Sequence, residues 1–62
     1  MRLCDAIASL LGTRRINVTR WAAGCGVSRT TLYSEHPSWT VVERVAAELS
    51  VTAKRLAKEI AK

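Results

Sequence analysis

Arg29, Thr30, Tyr33 and Ser34 are spaced so that, on a helix, they share one polar stripe. At about 100° per residue, with Arg29 at zero, Tyr33 lies at about 40°, Thr30 at about 100° and Ser34 at about 140°, while Leu32 at about 300° faces the interior. An α-helix fits the major groove of duplex DNA, where a guanidinium can pair in bidentate fashion with N7 and O6 of guanine. Arg29 is therefore the leading candidate to read a base. Thr30 and Ser34 suit short contacts to bases or phosphates, and Tyr33 suits a thymine methyl or a phosphate. Asn17, Thr19, Arg20, Ser28 and Thr31 offer donors around that stripe. They are better placed for the sugar-phosphate backbone, which fixes register without reading sequence.

Other chemistry is poorly represented. Cys4 and Cys25 form neither a CxxC motif nor a zinc spacing, and His36 has no partner ligands nearby in sequence. Neither a metal nor a cofactor is expected, and the cysteines read as small, reduced core residues. A chain of 62 residues has little room for a deep cleft of its own, so an enzyme is not expected.

The elements that would position the stripe follow from caps and apolar spacing. Asn17 can cap a helix, with Ile16 before it and Trp21 four residues after it, the arrangement of a hydrophobic staple. Val27, Ser28 and Leu32 repeat it at once. Between them Gly26 can take the left-handed conformation that ends one helix and turns the chain toward the next. Ala22 is small where the two helices approach. The second helix is thus expected at about 18–25 and the third at about 29–35, because His36 precedes Pro37 and a pre-proline residue is pushed out of helical geometry. Leu3, Ala6, Ile7, Leu10 and Leu11 predict a first helix from about Arg2 to about Thr13. Ser38 caps a fourth, with Trp39, Val42, Val45, Ala46 and Leu49 inward. Val51, Thr52 and Leu56 start a fifth, with Ala53, Leu56, Ala57 and Ile60 inward. Trp21 and Trp39 fall on apolar stripes and are expected in the core, and Lys54, Lys58 and Lys62 form a solvated row.

Residues 1–62 thus read as one all-α domain, a compact bundle of four to five short helices. With 48% apolar residues the chain is not a disordered basic tail. Its ten Lys and Arg against five Asp and Glu give a formal charge of +5, and no acidic residue occurs from Ala6 to Ser34, a stretch that holds Arg14, Arg15, Arg20 and Arg29. A one-signed field over the helix pair suits a polyanion. No apolar stretch is long enough to span a membrane, and Asp5 interrupts the region where a signal peptide would need an apolar run.

The segment Ile16–Tyr33 resembles the helix-turn-helix of the Cro and repressor family of phage and bacterial regulators, also called XRE-like. Ala22, Gly26, Val27 and Leu32 fall on that family's framework positions. From Pro37-Ser38-Trp39 to Val51-Thr52 the chain is similar to the family's next helix and the start of its last. The resemblance implies a lambda-repressor-like bundle and sequence-specific binding of double-stranded DNA, usually by a homodimer on a partly palindromic operator. It further implies a small Cro-like repressor of phage, prophage or plasmid origin, placed in the cytoplasm and on the nucleoid, with no small-molecule ligand. An antitoxin-type interaction module that also binds its own operator is the alternative, and the DNA-binding end of a recombinase is disfavoured by the self-sufficient small core. Two positions depart from the family. Val18 stands where many relatives carry a glutamine that holds a phosphate, leaving more of the anchoring to the arginines. Ser50 replaces a usual glycine at a left-handed turn. The link between the third and fourth helices is also shorter than in most relatives.

Overall fold

The computed structural model describes residues 1–62 and is all helical. Five helices follow one another: α1 (Leu3–Leu11), α2 (Val18–Cys25), α3 (Arg29–Leu32), α4 (Trp39–Leu49) and α5 (Ala53–Ile60). Four of the five starts are capped by the side chains expected from the sequence. Asn17 Oδ1 accepts from the Arg20 N–H at 3.1 Å, Ser28 Oγ from Thr31 at 3.1 Å, Ser38 Oγ from Val41 at 3.4 Å, and Thr52 Oγ1 from Arg55 at 3.1 Å. Each satisfies one of the N–H groups that the first turn of a helix leaves free. Gly12 and Gly26 close α1 and α2 at φ of 74° and 68°. Ser50 closes α4 at φ 59°, a conformation that costs a residue with a Cβ more than it costs glycine.

Leu3, Ile7, Leu32, Val45 and Leu56 are fully enclosed and come from four different helices, so the core joins the ends of the chain to its middle. Ala22, Cys25, Val42 and Ala46 complete its centre, and Leu10, Ile16, Trp21, Val27, Leu49 and Ile60 pack against it from half-buried positions. Helix α1 lies on α5, α5 on α4, α2 on α3 and α4, and α1 also touches α3. No helix is long and apolar enough to cross a membrane.

The structure corrects the sequence reading at three places. The third helix ends at Leu32, not Glu35. The Tyr33 and Ser34 N–H groups donate to the carbonyls of Thr30 and Thr31, a tightened last turn, and the Ser34 carbonyl accepts the Leu3 N–H at 2.9 Å. Arg2 supplies no side-chain cap to α1, so Ser34 does that work from across the bundle and the chain leaves helical geometry before Pro37 requires it.

Leu11 and Trp39, both expected inside, are exposed at 48% and 53%. Leu11 is about 80° from Leu3, between the buried positions of Ile7 and Cys4, so the face is right. What exposes it is its place as the last residue of α1, and Trp39 is likewise the first residue of α4. Cys4 and Ala8, outside the expected stripe of α1, are buried.

Glu59 is the third correction, a buried charged residue that apolar spacing did not mark. Its Oε2 accepts from Ser9 Oγ of α1 at 3.0 Å, and its Oε1 from Lys62 Nζ at 3.1 Å. Those two donors hold its carboxyl below the usual carboxylate range, Lys62 first and Ser9 second. Lys54, Lys58 and Lys62 are all exposed, as the solvated row requires, and Lys62 in addition pairs with Glu59 while the other two have no ion pair.

Candidate nucleic-acid interface

The site is built outward from the turn between α2 and α3. Gly26 ends α2 in the left-handed conformation, and the N–H of Val27 returns to the Ala22 carbonyl at 3.0 Å, which sets the direction in which the chain leaves. Ser28 then starts α3. Its hydroxyl accepts from the Thr31 N–H and lies 2.8 Å from Thr31 Oγ1, so these two side chains are engaged with each other at the first turn. Leu32, fully buried, anchors the short helix to the core and fixes which side of it faces out.

Arg29 and Thr30 project from that outer side. Both are exposed, and neither side chain makes a hydrogen bond or ion pair within the chain. Tyr33 is 48% exposed, and its ring lies beneath the guanidinium of Arg2, whose Cζ is 5.5 Å from the ring centroid. Ser34 is half-buried, and its hydroxyl accepts the His36 N–H at 3.1 Å. The four stripe residues thus divide into two free side chains, one stacked ring and one hydroxyl already used as an acceptor.

The five residues read as backbone contacts divide in the same way. Thr19 is exposed without an internal partner and lines a groove in front of α3. Asn17 is exposed, with its oxygen in the cap and its amide nitrogen free. Ser28 and Thr31 are occupied by capping. Arg20 is exposed but lines a separate cleft with Trp21, Gly24 and Glu48.

The groove in front of α3 has a volume of ≈ 360 Å³, and its polar lining is Arg2, Asp5, Arg15, Thr19, Arg29 and Tyr33. Three arginines from three parts of the chain face one carboxylate there. The chain has only two ion pairs, Arg2–Asp5 and Lys62–Glu59, so Arg14, Arg15, Arg20, Arg29 and Arg44 all lack a carboxylate partner. Arg44 of α4 lies over the turn, with Nη1 3.7 Å from where a Cβ on Gly26 would stand. Arg55 of α5 is likewise unpaired, but in the groove before α3 the excess is local, with Arg2, Arg15 and Arg29 against Asp5 alone, which favours an anionic partner there.

Arg2 and Arg44 are the members of this arrangement that sequence reading missed. Arg2 lies outside the acid-free stretch and beside Asp5, so charge counting cancels it. Arg44 reaches the turn only because α4 packs on α2.

The cysteines carry no reactive signature. Burial pushes both thiols above their usual range, helped at Cys25 by the carboxylate of Glu48, and a protonated thiol is a poor nucleophile. Both are free. No group of three or more His, Cys, Asp or Glu is gathered where it could hold a metal ion. No family model matches the chain, and no curated protein or solved structure matches it either.

Proposed function

We propose that the chain binds double-stranded DNA through α2, the Gly26 turn and α3, as a small transcription regulator of the Cro and repressor type that acts by occupying an operator. The observation that carries this reading is the pairing of two properties on one short helix. Leu32 locks α3 into the core, while Arg29 and Thr30 stand exposed and uncommitted, Arg29 at the edge of a groove with an arginine excess. Anchoring by a buried residue is common to every helix here, but a helix that presents side chains to a DNA groove requires it, and α3 adds exposed side chains with no partner in the chain. In this reading Arg29 and Thr30 touch base edges, and Thr19, the free amide of Asn17 and the unpaired arginines hold phosphates. Two copies on half-sites about one DNA turn apart would match a partly palindromic operator. Action on the nucleoid places the protein in the cytoplasm.

Selection of bound duplexes from a random pool tests the proposal. A recovered consensus with two related half-sites is the expected result, and a pool that returns without enrichment overturns it. On the recovered site, Arg29→Ala is expected to weaken binding by about 1 to 3 kcal/mol and to relax the preference at one base pair. Equal loss on every sequence would assign Arg29 to a phosphate.

A further inference from the structure

Arg2 reaches the face of α3 from a part of the chain that belongs to neither α2 nor α3. Its guanidinium is held on two sides. Nε and Nη2 donate to Asp5 Oδ2 and Oδ1 at 3.0 and 3.5 Å, and the plane rests near the Tyr33 ring, 5.5 Å from its centroid. A guanidinium has five N–H donors arranged as a planar fork, and Asp5 occupies only the edge formed by Nε and Nη2. The Nη1 side has no partner in the chain. The side chain is 49% exposed and borders the same groove as Arg15 and Arg29, neither of which is paired.

An arginine braced in this way has one donor edge pointed and free, which suits the oxygens of a phosphate better than the broad surface of a neutral partner. We propose that Arg2 is a third arm of the nucleic-acid interface, holding a backbone phosphate in the groove beside α3 through its free Nη1 edge. Asp5 and Tyr33 position it, and the Tyr33 ring then serves as a platform for Arg2 and not as a base reader. The inference rests on the DNA-binding reading above. It adds a contact from the start of α1 to those of the helix pair, on the side where Ser34 ties α3 to Leu3.

The test measures affinity against salt for the wild-type chain, Arg2→Ala, Arg2→Lys, Tyr33→Leu and the Arg2→Ala/Tyr33→Leu double variant. Each is measured on the selected duplex and on a scrambled duplex of equal length. Arg2→Ala is expected to weaken both by the same factor, roughly tenfold, the worth of one charge-assisted hydrogen bond, and to lower the slope of log affinity against log salt by about 1. Arg2→Lys keeps the charge without the fork and should fall between. Tyr33→Leu should reproduce part of the loss in the wild-type background and add nothing to Arg2→Ala, the signature of a residue that acts through Arg2.

An unchanged salt slope in Arg2→Ala, or a loss confined to the selected sequence, overturns the phosphate role while leaving the DNA reading intact. Equal losses from Tyr33→Leu in both backgrounds overturn the platform. If the wild-type chain binds no duplex, the DNA reading fails and the groove is judged separately by titration with inorganic phosphate. A shift of the Arg2 Nε–H resonance then supports an anion site, and no shift overturns it.

Discussion

Five of the nine residues of α1 are buried, against two of the eight in α2 and one of the four in α3, a share that α5 matches with two of eight. The polar bonds differ more than the burial. Between α1 and α5, Ser9 bonds Glu59, Glu59 takes Lys62, and the N-terminal ammonium of Met1 donates to the Ile60 carbonyl at 2.9 Å, so charges at the two chain ends are spent on closing the bundle. In α2 and α3 the polar side chains of Asn17, Ser28 and Thr31 bond only within their own helix, and the arginines bond to nothing in the chain. Where α1 meets α5, one carboxylate and one ammonium are used to hold the chain ends together, although Lys54, Arg55 and Lys58 of α5 stay exposed and unpaired. The α1–α5 contact is thus held by polar bonds between elements as well as by apolar burial, whereas α2 and α3 rely on apolar burial and local caps.

The comparison breaks first at Leu32, the one buried residue of α3. Leu32→Ala is expected to cost about 2 to 5 kcal/mol in urea unfolding. A domain of this length has roughly 3 to 9 kcal/mol in total, at the usual stability per residue, so the variant should lose a large share of it and unfold at a much lower urea concentration. Leu11→Ala, at an exposed helix end, should change stability by less than about 0.5 kcal/mol. If the two variants behave alike, α3 is not anchored as described.

Two glycines in and after α2 sharpen the contrast between anchored turn and exposed surface. Gly26 has positive φ, so Gly26→Ala should destabilise by about 1 to 2 kcal/mol although its Cβ would meet only the Arg44 guanidinium at 3.7 Å. Gly24 is helical with only Glu48 Oε1 at 4.0 Å from the place of a Cβ, so Gly24→Ala should stabilise by about 0.5 to 1 kcal/mol. Thermal melts of both variants give opposite signs if the turn is built as seen.

The smallest expected effect concerns pH and belongs to α1 and α5. Lys62 and Ser9 lower the Glu59 carboxyl in the folded chain, so its contribution is complete above the unfolded value of about 4.3 and is lost as pH falls through the lower folded value. Glu59→Gln should flatten that acid-side decline without changing the stability of the turn between α2 and α3. A decline of unchanged depth in the variant would remove Glu59 from the closure of the bundle.

Much of the fold was legible because its signals are short. Asn17, Ser28, Ser38 and Thr52 each cap an N–H three residues away, and Val18–Cys25 begins and ends where a cap and a glycine say it should. Of the candidate site, the outward placement of Arg29, Thr30 and Tyr33 and the inward placement of Leu32 follow from helical periodicity alone. Periodicity failed at Leu11 and Trp39, which lie at helix ends: it assigns a face but not how far the neighbouring helices extend to cover it.

The amino-acid sequence by itself thus determined four capped helical starts, the left-handed turn at Gly26 and an arginine-rich, acid-poor middle, because each depends on residues within one or two turns of one another. Tertiary structure alone decided that α3 stops at Leu32, that Glu59 closes the chain ends and that Arg2 stands over Tyr33. Those outcomes rest on Leu3 meeting Ser34, Ser9 meeting Glu59 and Arg2 meeting Tyr33. Such partners, 31 to 50 residues apart in the chain, are brought together only by burying the shared apolar core, and no local pattern encodes which distant polar group will arrive beside them.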